Sequence, residues 1–189
     1  MPTSITSSGI TFDDATTQTT SATKAGGIGT TQIANSSVTQ AKLASNVAGN
    51  GPAFSAYANT GTTVANGGFA KITLGVERFD TNNNFASSRF TPTVAGYYQI
   101  NGAVYIASGA NYLLAIVIKN GTNIPAGQWG EVFYGTYGQA VTSASSVSAL
   151  VYLNGTTDYV ELAGYQASGT SATISDGITR MDGFLARAA

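Results

Sequence analysis

The chain has no cysteine and no histidine among its 189 residues. Without cysteine there are no disulfides, no thiolate chemistry and no thiolate zinc sites. Without histidine the commonest general base and the commonest metal ligand are missing. Charge is scarce as well. Lysine and arginine number 8, aspartate and glutamate 9, together 9% of the chain, where about 25% is usual. A net charge of −1 gives no footing for electrostatic capture of nucleic acid or an anionic membrane. Residues 1–25 show no basic start followed by an apolar run, so no secretory signal is read there. The longest apolar run, Tyr112 to Ile118, is seven residues, against the roughly 20 that a membrane-spanning helix needs. A soluble chain is expected, with no nucleic-acid partner and no membrane insertion.

What is present points to β-structure. Hydrophobic residues make up 43% and glycines number 23, a mix unlike the low-hydrophobicity, high-charge signature of disorder. The aromatics divide the chain. Of all Phe, Tyr and Trp residues, only Phe12 precedes residue 51. The leading segment, residues 1–50, carries just Asp13, Asp14, Lys24 and Lys42 as charges. Such a segment cannot bury a core alone. Its aliphatics Ile28, Ile33, Val38, Leu43 and Val47 are nevertheless regularly placed, in steps of five and finally four. Five residues advance about 140° on a helix, which makes no continuous stripe, and alternate faces on a strand. Copies of the segment sharing one axis bury this spacing; a Ser/Thr/Gly linker with accidental spacing is the plainer alternative. Within it, Ser37-Val38-Thr39-Gln40 fits a capping box, with Leu43 and Val47 on one face and Gly49 as exit. A short helix is expected there, one that needs a partner surface to persist.

From Gly51 onward the pattern is strands. Residues 53–57 and 69–74 alternate, and Tyr98, Ile100, Gly102 and Val104 share a face. Tyr112 to Ile118 is apolar on both faces and reads as a central buried strand. Residues 147–153 lead into Asn154-Gly155, a turn signal, and 158–162 and 183–185 are further strands. Asn82 to Asn84, Asn120-Gly121 and Asp176-Gly177 mark other turns. Eight to ten short strands without a helical interruption mean a β-sandwich or barrel.

Residues 51–189 resemble the C1q-like domain of the C1q/TNF superfamily. The opening Pro52-Ala53-Phe54-Ser55-Ala56-Tyr57 is similar to that family's first strand. The closest likeness is Phe90-Thr91-Pro92-Thr93-Val94-Ala95-Gly96-Tyr97-Tyr98, a Phe, a Pro two residues on, then Gly-x-Tyr. Asp158 to Leu162 and Gly183-Phe184-Leu185 resemble its last strands. The resemblance implies an all-β jelly-roll head, and a homotrimer, since C1q-like heads are trimers. No acidic cluster matches the family's calcium sites, so no metal is carried over. Residues 9–20 and 31–44 resemble segments of bacteriophage tail and fibre proteins. Together the two resemblances imply a virion fibre with residues 1–50 as an extended anchoring and trimerising segment and 51–189 as its head. The expected role is structural and adhesive: a tail fibre or appendage, joined to other virion proteins through its N-terminal segment, whose head recognises the host surface. A capsid decoration trimer, as head fibre or cement, remains open with the same fold. So does a secreted bacterial C1q-like lectin, against which the missing signal argues.

No catalytic residue, cofactor or metal site is expected. Glycoside chemistry needs two carboxylates at a set separation, and Asp158 and Glu161 stand three apart on a predicted strand, facing opposite sides. Lys71, Arg78, Arg89 and Lys119 are scattered, as solvated charges or isolated ion pairs are. Trp129 offers the best binding signal. It lies in Gly127-Gln128-Trp129-Gly130-Glu131, followed by Tyr134 and Tyr137 among glycines. Aromatics in polar loops stack on sugar rings, and Gln128 and Glu131 supply hydrogen bonds to them. A host glycan would therefore engage Gln128, Trp129, Glu131, Tyr134 and Tyr137. The alternative is that Trp129, Phe133 and Tyr137 pack in the core or between subunits.

Overall fold

A computed structural model describes residues 4–6, 9–11, 17–18, 33, 37–39, 42–44, 49–107, 110–121, 132–135, 138–140 and 143–189. The chain divides into two compact units, Met1–Leu43 and Ala44–Ala189.

In the first unit β1 (Ser4–Thr6), β2 (Gly9–Thr11) and β3 (Thr17–Gln18) pair antiparallel as a small sheet. Sequence patterning did not predict it, because strands of two or three residues are too short to show a period. Ile33, Val38 and Leu43 are exposed, at 39%, 54% and 39%; Ile28 and Val47 lie outside the described residues. Of the short helix expected from the Ser37 cap, residues 40, 41 and 45–48 lie outside the described residues, and residues 37–39 and 42–44 are not α-helical. One tight turn remains, with Lys42 N–H donating to the Thr39 carbonyl at 2.9 Å.

The second unit is all-β. One sheet contains β4 (Ala53–Tyr57), β5 (Thr62–Val64), β7 (Val76–Asp80), β10 (Gly96–Ile106), β14 (Ser143–Leu153), β16 (Ala172–Ile174) and β17 (Arg180–Ala188). Its face runs β14-β10-β17-β4-β7, all antiparallel. The other contains β6 (Gly68–Lys71), β8 (Phe85–Ala86), β9 (Arg89–Phe90), β11 (Ala110–Lys119), β12 (Val132–Tyr134), β13 (Gly138–Ala140) and β15 (Val160–Ala167). Here β11 and β15 pair at the centre, from Tyr112↔Ala167 to Lys119↔Val160. The two sheets form the jelly-roll sandwich that the sequence implied.

The core follows from alternation. On β10, Tyr98, Ile100 and Val104 are fully buried while Tyr97 faces out. Phe54 stacks on Phe90 at 4.2 Å and on Phe85 at 5.2 Å, and Phe90 meets the edge of Tyr98 at 5.5 Å. Tyr98 donates its hydroxyl to the Val94 carbonyl at 2.7 Å, and burial pushes its pKa well above the ordinary phenol value. The Phe-x-Pro…Gly-x-Tyr stretch thus supplies two of the four stacked rings. β11 has both faces covered, as its composition requires. Leu113, Ala115 and Val117 join the main core. Leu114, Ile116 and Ile118 form a second cluster with Ala163, against which Phe69, Val132 and Tyr165 pack.

The Asn120-Gly121 and Asn154-Gly155 dipeptides turn the chain, as expected. Asn120 and Gly121 are left-handed, φ 57° and 59°, and Gly155 is too, φ 72°. A side chain at Gly155 would also run into the Ala95 backbone nitrogen. Asn154 Oδ1 accepts from the N–H of Thr156, Thr157 and Asp158 at 2.9–3.0 Å. Asp158 then ties this turn to the other. It accepts from Asn120 Nδ2 at 2.8 Å and Asn154 N at 3.1 Å, and Lys119 Nζ stands 3.5 Å away. Burial raises the Asp158 pKa, but the bonds from Asn120 and Asn154 and the Lys119 charge outweigh it, and the net shift is downward. A depressed folded pKa means stability fully present above the unfolded value of 3.8 and lost as pH falls through the folded one. Acid unfolding should therefore begin below that pH, and Asp158→Asn should flatten this limb of the stability curve. Chemical denaturation at a series of pH values measures it; an unchanged acid limb in the variant would contradict the assignment.

Candidate functional site

The outward side of β14-β10-β17 is built by the same alternation that fills the core. Register places Tyr152, Tyr97 and Arg187 in one row, Leu150, Gln99 and Phe184 in the next, then Ser148, Asn101 and Asp182, and last Ser146, Ala103 and Arg180. The first two rows are mainly apolar, with Arg187 and Gln99 among them. Leu150 is 56% exposed, Phe184 50%, Tyr97 43% and Tyr152 41%. Tyr97 and Tyr152 pack ring to ring at 5.4 Å. Phe79, on the outer strand β7, is exposed beside this face. The last two rows are polar.

The polar rows are internally locked. Asn101 Nδ2 donates to Asp182 Oδ1 at 3.0 Å, and Ser148 Oγ donates to Asn101 Oδ1 at 3.0 Å. Gln99 Nε2 donates to Ser148 Oγ at 2.9 Å and to the Ala149 carbonyl at 3.3 Å. Above them opens a groove of about 540 Å³, with Tyr134 on one wall and Arg180 at the far end. Gly135 makes this wall possible. Its N–H donates to the Ala115 carbonyl at 2.8 Å, and any Cβ there would collide with the Ser146 carbonyl. Glycine lets the end of β12 lie directly against β14.

Of the expected glycan-binding residues, Tyr134 reaches this groove, 45% exposed on β12. Gln128, Trp129, Glu131 and Tyr137 lie outside the described residues. Phe133, on the same strand as Tyr134, packs partly against the main core. Sequence reading missed Asn101, Ser148, Arg180 and Asp182. Alternation on β10 signals that Gln99 and Asn101 face outward. Nothing local says that Asp182, 81 residues on, comes beside them.

The basic residues are less scattered than the sequence suggests. Lys71 and Arg89 converge on Glu161 on the other sheet. Lys71 Nζ is 2.5 Å, Arg89 Nη2 2.9 Å and Arg89 Nε 3.1 Å from Glu161 Oε1. The Arg89 guanidinium lies 3.7 Å over the Tyr159 ring. Glu161 is nearly buried while both cations stay half-exposed. Two donors that keep their water suit a buried carboxylate, since its charge is compensated at small desolvation cost. Asp158 and Glu161 sit in separate clusters, each satisfied by its own cations. Among the described residues no three His, Cys, Asp or Glu side chains gather as metal ligands.

Neither a protein-family model nor a curated protein matches the sequence. Solved structures do match the fold. The globular domain of zebrafish complement 1qA protein aligns over 73% of this chain and 99% of its own, at 19% identity and a TM-score of 0.51. Murine APRIL aligns over 71% of this chain and 98% of its own, at 10% identity and a TM-score of 0.52. The head is a C1q/TNF-like jelly roll.

Proposed function

We propose that this chain is the subunit of a homotrimeric bacteriophage appendage, a tail fibre or similar structure. Residues 1–50 attach it to other virion proteins, and its head recognises the host cell surface. The observation that carries this reading is the exposed apolar end of the β14-β10-β17 face. Tyr97, Tyr152 and Leu150 lie side by side on β10 and β14, and Phe184 is exposed on β17 across Gln99 from Leu150. Soluble monomers rarely leave such patches in water, and larger ones mark interaction surfaces. Closed cyclic symmetry covers a patch of this kind on every subunit without open-ended growth. The exposed Ile33, Val38 and Leu43 support the same assembly, since a stalk whose aliphatics step by five has shelter only among copies of itself. The fibre and host assignments are supported by the phage-like segments at 9–20 and 31–44. Recognition by three heads per fibre, over many fibres, multiplies weak contacts into avidity.

Light scattering on the full chain should return three times the 19.2 kDa chain mass; a mass near one chain rejects the trimer. Immunogold labelling of particles should mark the tail. Label on the capsid shell would replace the tail assignment with a capsid decoration role, and absence from particles would reject the virion reading. Trp129→Ala should reduce adsorption to host cells without changing the assembled mass, and unchanged adsorption removes Trp129 from the recognition site.

A further inference from the structure

We infer that the polar end of the β14-β10-β17 face is a binding site for a neutral, hydroxyl-rich sugar ring, seated between Tyr134 and the Ser148–Asn101–Asp182 row. The groove, about 540 Å³, falls within the usual range for small-molecule sites. Its polar groups are held in place by one another, so little side-chain freedom is lost when a ligand arrives. They also keep capacity to bind. Asp182 receives Asn101 on Oδ1, which leaves Oδ2 as an acceptor. Asn101 Nδ2 has a second hydrogen to donate, and Ser148 a second lone pair. A sugar hydroxyl both donates and accepts, so adjacent hydroxyls match a row in which acceptors and donors alternate.

The charge balance selects the class of ligand. Arg180 and Asp182 both line the groove, and their charges cancel. A neutral ring fits this better than a phosphate or a polybasic peptide. Tyr134 supplies the apolar component, a flat ring against which the C–H face of a sugar packs. The position is also consistent with assembly. The apolar rows that a sister chain would cover lie at one end of the sheet, and the groove lies at the other. This inference deepens the host-surface reading and rests on it for the expectation that a surface glycan is the natural source.

The test is a titration of the full chain with methyl β-D-glucopyranoside and methyl β-D-galactopyranoside, followed by heteronuclear NMR of the Asn101 and Gln99 side-chain amides. Both amides should shift with at least one hexoside, saturating with a Kd on the order of 1 mM. Tyr134→Ala should weaken binding about 10-fold, and Ser148→Ala should weaken it with the fold intact, because among the described residues its hydroxyl bonds only the Gln99 and Asn101 side chains. Silent amides, shifts unchanged by Tyr134→Ala, or a response to inorganic phosphate alone would each overturn the inference. The outcome is separable from the assembly reading. A trimer with a silent groove removes the sugar site and leaves the fibre standing, whereas a monomer that binds the hexoside does the reverse.

Discussion

Phe54→Ala should lower the unfolding free energy by about 3–5 kcal/mol, the largest loss we expect from any single truncation in the head. Phe54 is fully buried and lies between two other rings, Phe85 and Phe90. Removing it deletes the transfer energy of the side chain and leaves a cavity. It also strips both neighbouring rings of their stacking partner. The site cannot collapse easily, because the surrounding positions are held in register by β17 and β7 on either side of β4. Urea denaturation followed by circular dichroism measures the change. A loss under about 1 kcal/mol, the range of a surface substitution, would mean that the ring stack is not the centre of this core.

Leu150→Asp combined with Phe184→Asp should convert the proposed trimer to monomers, a threefold drop in mass by light scattering. Both side chains are at least half exposed in a single head, so the substitutions remove little from the core of the subunit. In an assembled trimer they replace apolar contacts worth about 1.5–3 kcal/mol per buried side chain. They also place like charges close together in a region from which water is excluded, where repulsion is strong and desolvation costly. Retained strand content by circular dichroism separates lost assembly from lost folding. A double variant that remains trimeric would show that the apolar rows are not the subunit interface, and attention would move to the second sheet.

Glu161 shows why burial of charge is not evidence of a catalytic role. Its carboxylate is nearly inaccessible, yet the groups that reach it are Lys71 and Arg89, and Arg89 also lies over Tyr159. The cluster clamps β6 and β9 to β15 through side chains.

Local sequence dictated every feature whose physical cause lies within a few residues. The Asn120-Gly121 and Asn154-Gly155 turns follow from the ease with which Asn and Gly enter left-handed backbone. The inward set Tyr98, Ile100 and Val104 follows from the two-residue period of a strand. The double-sided burial of β11 follows from a run with no polar face to offer water. Most of the helix expected from the Ser37 cap lies outside the described residues. Tertiary structure alone decided what stands beside what. It set Asn101 against Asp182, drew Lys71 and Arg89 to Glu161 across 90 and 72 residues, and brought Tyr134 to the edge of β14. Strand pairing fixes those neighbours through register, and register is a property of the closed sheet, which no single strand carries in its own residues.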